Sequence, residues 1–163
     1  MPKRSAGLLA YRRTADGGVE VLIAHPGGPL WARKDDGVWT IPKGELDGEE
    51  PVAVAYREFS EEIGLAPPTG ELIPLGEITQ KSGKRVQAWG VEGSSVGDVD
   101  AVESNLFRLE WPPKSGKQEW FPEVDRAMWA DPATARAKLN PHQVPFVDRL
   151  LEALSPDGGG SPA

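Results

Sequence analysis

Apolar positions alternate with polar ones, or run together, in short stretches broken by glycine and proline. Ser5 to Arg12 (SAGLLAYR) and Val19 to His25 (VEVLIAH) read as two strands, with Asp16-Gly17-Gly18 as the turn of a hairpin. His25-Pro26-Gly27-Gly28-Pro29 reads as a loop, Trp31 to Lys34 as a short strand, and Val38 to Ile41 as an extended lead into a glycine turn. Helical spacing follows Pro51 and ends near Leu65. Leu72 to Thr79 and Arg85 to Val91 read as strands around Lys81-Ser82-Gly83-Lys84, and Phe107 to Trp111 as extended. Gly93 to Asp100 is small, polar and acidic, and reads as a flexible excursion. Asp131-Pro132 is a cap and first-turn pair for a helix through Leu139, and Phe146, Leu150, Leu151 and Leu154 recur at the spacing of a last helix from about Val144 to Leu154. Strands on both sides of a central helix, with helices near the end, predict one mixed α/β domain over 1–154. The Gly/Pro/Ser-rich stretch 155–163 is expected to be a disordered tail.

The central helix is unusual. At 100° per residue, Glu58, Glu61 and Glu62 fall within roughly a 100° arc, and Val52, Tyr56, Phe59 and Ile63 lie on the other side. Glu58 and Glu62 are like charges at i,i+4, which costs an isolated helix about 0.2–0.5 kcal/mol. Two readings follow: an acidic solvated face, or carboxylates gathered for a cation. Arg57 can neutralise one of them, and Mg²⁺ accepts a few carboxylate oxygens together with water and substrate phosphates.

Arg57-Glu58-Phe59-Ser60-Glu61-Glu62-Ile63-Gly64-Leu65 resembles the second half of the Nudix box, with Gly44 as the box glycine. The family usually leaves five residues between that glycine and the first glutamate; Glu49 leaves four and Glu50 five. Pro51 favours the first helical turn, which puts Glu50 near the N-cap, so Glu49 is assigned and a one-residue deletion is placed in Leu46-Asp47-Gly48. The resemblance implies the Nudix fold, a mixed β-sheet packed between helices in an α/β/α sandwich. It also implies hydrolysis of a nucleoside diphosphate linked to another group, with Mg²⁺ or, alternatively, Mn²⁺. On that pattern Glu58, Glu61, Glu62 and the Gly44 carbonyl are the metal ligands, and Arg57 orients a box glutamate. The family draws its general base either from the box or from a later loop; Glu119 is the preferred loop candidate, Glu123 the next and Glu103 a weaker one.

Phosphate contacts require cations that do not bind metal. Lys43 adjoins Gly44, and Lys81, Lys84 and Arg85 cluster at a hairpin turn; Lys43, Lys84 and Arg85 are the candidates carried forward. Neither Ser82-Gly83-Lys84 nor Ser115-Gly116-Lys117 has the spacing of a P-loop. Trp39, Trp89 and Trp129 are expected in the core; Trp31, Trp111 and Trp120 border loops, where packing and base stacking are both open. His25 is expected to be structural or solvent-facing.

Composition narrows the class. With 39% hydrophobic residues and six tryptophans, the 163-residue chain can bury a core, and it has no cysteine for a disulfide or thiol chemistry. No apolar run approaches a membrane span and no signal-peptide core is present, so a soluble cytoplasmic protein is expected. The net charge of −7 argues against binding long nucleic acid but not against small phosphorylated ligands, since metal ions can reverse the sign of a site.

Ile41-Pro42-Lys43-Gly44-Glu45 resembles the lead-in of Nudix enzymes acting on diadenosine or diphosphoinositol polyphosphates. The tyrosine typical of the former and the proline typical of ADP-ribose enzymes are both missing after the box. The chain from about Lys3 to Leu151 resembles a bacterial group of predicted NTP pyrophosphohydrolases. The expected substrate is therefore a small nucleotide, a nucleoside triphosphate or dinucleoside polyphosphate. The alternatives are oxidised (d)NTPs and a non-catalytic nucleotide-sensing module. A homodimer is compatible with the family.

Overall fold

The structure is a computed structural model and describes residues 3–155; the expected tail lies outside them except for Ser155. Strand β1 (Arg4–Arg13) is the spine, with every residue from Ser5 to Tyr11 buried. Such a run, apolar on both sides, needs cover on both faces of its sheet. β1 pairs in parallel with β5 (Arg85–Glu92), whose other edge carries β4 (Leu72–Thr79) antiparallel. Near its end, Tyr11 to Arg13 pair antiparallel with the start of β2 (Val19–Pro26), which goes on to pair with β8 (Val124–Ala130). The early part of β1 takes a different neighbour. There β3 (Lys43–Glu45) pairs with Ser5 to Gly7, completing a six-stranded mixed sheet.

Alternation along β1 divides the core. Ala6, Leu8 and Ala10 join Val54, Ala55, Phe59 and Ile63 of helix α1 (Pro51–Ile63), while Leu9 and Tyr11 join Phe146, Val147 and Leu150 of helix α3 (Val144–Leu154). Each fully buried Phe or Leu contributes about 1.5–3 kcal/mol from burial. Helix α2 (Pro132–Lys138) lies on the α3 side; Asp131 accepts from the Thr134 N–H at 2.7 Å, the expected cap. This is the α/β/α sandwich that the box implied.

Four local readings are corrected. Trp31 to Lys34 forms turns, because the Trp31 N–H donates to the Gly28 carbonyl and the Lys34 N–H to the Trp31 carbonyl. The extended segment is β6 (Leu106–Glu110), one residue earlier than expected. It pairs with β7 (Gln118–Pro122), a segment whose polar residues and final proline read as a loop. β8 was not foreseen as a full strand, since Asp125-Arg126 interrupts its alternation. His25 is structural: it is fully buried, with Nδ1 2.8 Å from the Asp125 carboxylate and Nε2 2.7 Å from the Lys34 carbonyl. Trp39 and Trp89 are buried and Trp129 packs against the core, as expected, while Trp31 and Trp120 stay exposed.

No helix among the described residues is long and apolar enough to cross a membrane.

Candidate active site at the inner face of helix α1

The position of α1 decides the environment of its acids. Val54 and Ala55 lie within or beside the same arc as Glu58, Glu61 and Glu62, one turn earlier, and both are fully buried. The acidic arc therefore turns toward β3 rather than toward solvent. The Glu62 carboxylate accepts, at 3.4 Å, from the Lys43 N–H on β3. Gly44 makes the close approach possible: a β-carbon there would lie 2.1 Å from the Glu58 carboxylate carbon.

A cleft of about 350 Å³ opens at this junction, lined by Lys43, Gly44, Glu45, Glu58, Glu61, Glu62 and Lys84, with Ser5, Asn105 and Glu123 completing it. Burial and the neighbouring Glu58 carboxylate push the Glu62 pKa up to about 8, against the milder opposing effect of Lys43. Glu58 is raised by burial and then by Glu61, and Glu123 by burial. Lys43 is lowered, chiefly by burial and then by Lys84. The shifts of Lys43, Glu58 and Glu62 record a charge held out of water beside another of its sign, and that of Glu123 records burial alone.

Arg57 stands on the outer side of the same helix. Its guanidinium hydrogen-bonds the Glu49 carboxylate and lies 3.6 Å from Glu58 and 3.7 Å from Glu61. It thus joins the loop before the helix to two carboxylates on it. Glu50 is the N-cap and Pro51 follows it, so the expected helix start is met, and Gly48 turns the shortened loop with φ +71°.

The far wall of the cleft is stitched to the end of α1. The Glu103 N–H donates to the Ile63 carbonyl and the Asn105 N–H to the Glu61 carbonyl, occupying acceptors that a helix end leaves open. Gly64, left-handed at φ +73°, leaves the room: a β-carbon would lie 2.1 Å from the Glu103 carbonyl oxygen. The Glu123 N–H then donates to the Asn105 carbonyl. Glu123 enters the cleft through this relay.

Gly44, Glu58, Glu61, Glu62, Lys43 and Lys84 thus share one cleft. Glu119 does not line it: it sits exposed on β7 opposite Leu109. Arg85 is exposed and pairs with Glu77 at 3.0 Å. Glu45, Ser5 and Asn105 went unnoticed in the sequence. A period-two reading of Lys43–Glu45 beside β1 would have found Glu45, but Asn105 is placed only by its bond to the helix end.

Among the described residues no three acidic or histidine side chains converge into a ready-made metal cage. The all-oxygen donor set still fits a hard divalent cation. Mg²⁺ needs only one or two carboxylates when waters and substrate phosphates complete its shell. Five carboxylates against two lysines also give the cleft an excess of negative charge that a dication would offset.

The NUDIX domain family profile matches residues 1–150. An RNA pyrophosphohydrolase of Rhodospirillum rubrum is 28% identical, with 94% of this chain and 93% of that protein covered. An 8-oxo-(d)GTP phosphatase of Mycolicibacterium smegmatis is 35% identical over 68% of this chain and 34% of its own length. In fold, a C. elegans Ap4A hydrolase in binary complex superposes with TM-score 0.62 at 20% identity, covering 90% of this chain and 95% of its own. The NUDIX domain of Shewanella oneidensis NrtR, complexed with ADP ribose, superposes with TM-score 0.63 at 14% identity, covering 95% and 90%. With Gly44, Glu58, Glu61 and Glu62 gathered in one cleft and a family match over residues 1–150, the chain belongs to the Nudix hydrolase family.

Proposed function

We propose that the protein hydrolyses a phosphoanhydride bond in a nucleoside diphosphate linked to another group, a nucleoside triphosphate or a dinucleoside polyphosphate, with Mg²⁺ or Mn²⁺. The observation that carries this reading is the inward set of Glu58 and Glu62, both raised in pKa by burial, in one cleft with Lys43 and Lys84. A solvated acidic face would keep ordinary carboxylates.

Glu58, Glu61, Glu62 and the Gly44 backbone would hold the cation, which supplies neutralisation of phosphate charge and acidifies water. Arg57 fixes Glu49, Glu58 and Glu61 relative to one another. Lys43 and Lys84 donate to phosphate oxygens from the opposite wall. Glu123, with its raised pKa and its place in the cleft, takes the proton of the attacking water. The water oxygen bonds to one phosphorus of the anhydride, the bridging P–O bond to that phosphorus breaks, and the phosphate on the other side of the bridge leaves with its electrons. Glu123 replaces Glu119 in this role because only Glu123 lines the cleft.

The chain's −7 charge favours small nucleotides over RNA. The 8-oxo-(d)GTP phosphatase relative, at 35% identity, makes oxidised (d)NTPs the second reading. Product analysis with Mg²⁺ and Mn²⁺ across NTPs, oxidised dNTPs, dinucleoside polyphosphates, ADP-ribose and 5′-triphosphorylated RNA separates these readings. Release of a nucleoside monophosphate or of phosphate, abolished in Glu62→Gln, supports hydrolysis. Nucleotide binding without any turnover would favour a sensing module instead.

A further inference from the structure

One buried polar group in the cleft takes no part in the chemistry above. Ser5 is 1% exposed and lines the cleft, and its Oγ has no hydrogen-bond partner. Among the described residues only Gln80 Oε1 shares that condition. The surroundings follow from register. Directly opposite residues of a ladder project to one face, and so do residues two apart on a strand. Ser5 is opposite Glu45 and Gly7 opposite Lys43, so the Ser5 hydroxyl shares its face with the Lys43 and Glu45 side chains. Gly7 lets the opposite strand pack close: a β-carbon there would lie 2.5 Å from the Pro42 carbonyl oxygen and 2.9 Å from the Lys43 β-carbon. On the other edge Ser5 is opposite Val86, and Lys84, two residues earlier, reaches the same cleft with its ammonium 3.5 Å from Glu45.

A hydroxyl enclosed without a partner has given up water for nothing, a cost that alanine would avoid. The two ammonium groups beside it can only donate. What the hydroxyl lacks is an acceptor, and phosphate drawn to two lysines brings acceptors. We propose that Ser5 is a substrate-contacting residue whose hydroxyl donates to a non-bridging oxygen of the phosphate held by Lys43 and Lys84. This deepens the hydrolase reading and rests on it. Ser5, Lys43 and Lys84 then form a donor set on the sheet that shares one cleft with the carboxylates of α1. A contact made equally in the ground and transition states governs KM and leaves kcat alone.

Ser5→Ala tests this, since it deletes one oxygen from an enclosed position. The variant melts at or above the wild-type temperature, its KM rises about ten-fold and its kcat stays within about two-fold. Its affinity for imidodiphosphate with Mg²⁺, measured by calorimetry, falls by the same factor, while Mn²⁺ binding followed by water-proton relaxation does not change. A folded Ser5→Ala with wild-type KM and imidodiphosphate affinity overturns the assignment, as does a loss confined to kcat. If the wild-type protein turns over no anhydride, the hydrolase reading falls, and the imidodiphosphate affinities of the two proteins still decide the role of Ser5.

Discussion

Helices α1 and α3 cover opposite faces of one sheet, yet they treat charge in opposite ways. In α3 the apolar residues Phe146, Val147 and Leu150 face the sheet, and Asp148 and Arg149 stay exposed. Asp148 is paired at the surface with Arg136, 2.9 Å away. In α1 two sides face inward: one presents Phe59 and Ile63 to the core, the other presents Glu58 and Glu62 to β3. The first arrangement gains stability from its contact face. The second holds carboxylates where burial and mutual repulsion oppose their ionisation, a cost that makes sense at a site that binds cations. Both helices are amphipathic by periodicity. The difference lies in which side the fold turns inward.

The sharpest test of the contrast is to neutralise one inward charge. Glu62→Gln is expected to lower turnover by on the order of 10³-fold, about 4 kcal/mol, while the protein still folds. Steady-state kinetics with a melting curve would show it, and a variant that retains activity would remove α1 from the chemistry. The matching change on α3, Phe146→Ala, should lower stability by about 3 kcal/mol in denaturant titration and leave turnover per folded molecule unchanged. The proton-accepting role comes next. Glu123→Gln should slow turnover about 10²-fold, while Glu119→Gln stays within about two-fold; the reverse result would restore the β7 glutamate.

The smallest effect is on pH dependence. The folded protein holds the Glu62 proton up to about pH 8, whereas the unfolded chain releases it near the usual carboxylate range. Folded protein therefore binds more protons than unfolded protein in that interval. The Glu62 contribution to stability is greatest below pH 4.5 and is lost as the pH rises toward about 8. Metal-free protein should thus lose several degrees of Tm across this window, and Glu62→Gln should flatten the decline. Mg²⁺ should oppose it by favouring the ionised carboxylate, so its apparent affinity should rise with pH up to about 8.

The elements with strong local signals were legible in the chain. The β4 strand, α3 and the start of α1 after Pro51 follow from alternation, helical spacing and proline placement, and they occur where expected. The carboxylates of the site were legible because they crowd one arc of one helix. Two parts were hidden for physical reasons. β3 is three residues long and two of them are charged, so no period can identify it; it exists because β1 offers an edge there. β7 has little burial of its own and is held by pairing with β6, so its composition resembles that of a loop. By sequence position alone Glu119 is the better candidate base. The choice of Glu123 depends on backbone bonds from Ile63 and Glu61 to a segment some forty residues further along the chain, and that kind of contact leaves no local trace.

The relay from the end of α1 through Asn105 to Glu123 has one more consequence. Both feet of the β6–β7 ribbon are moored beside the site, and the stretch between them, Trp111 to Lys117, turns back well away from it. That bend can be lengthened, shortened or exchanged without shifting the glutamate at the ribbon's foot.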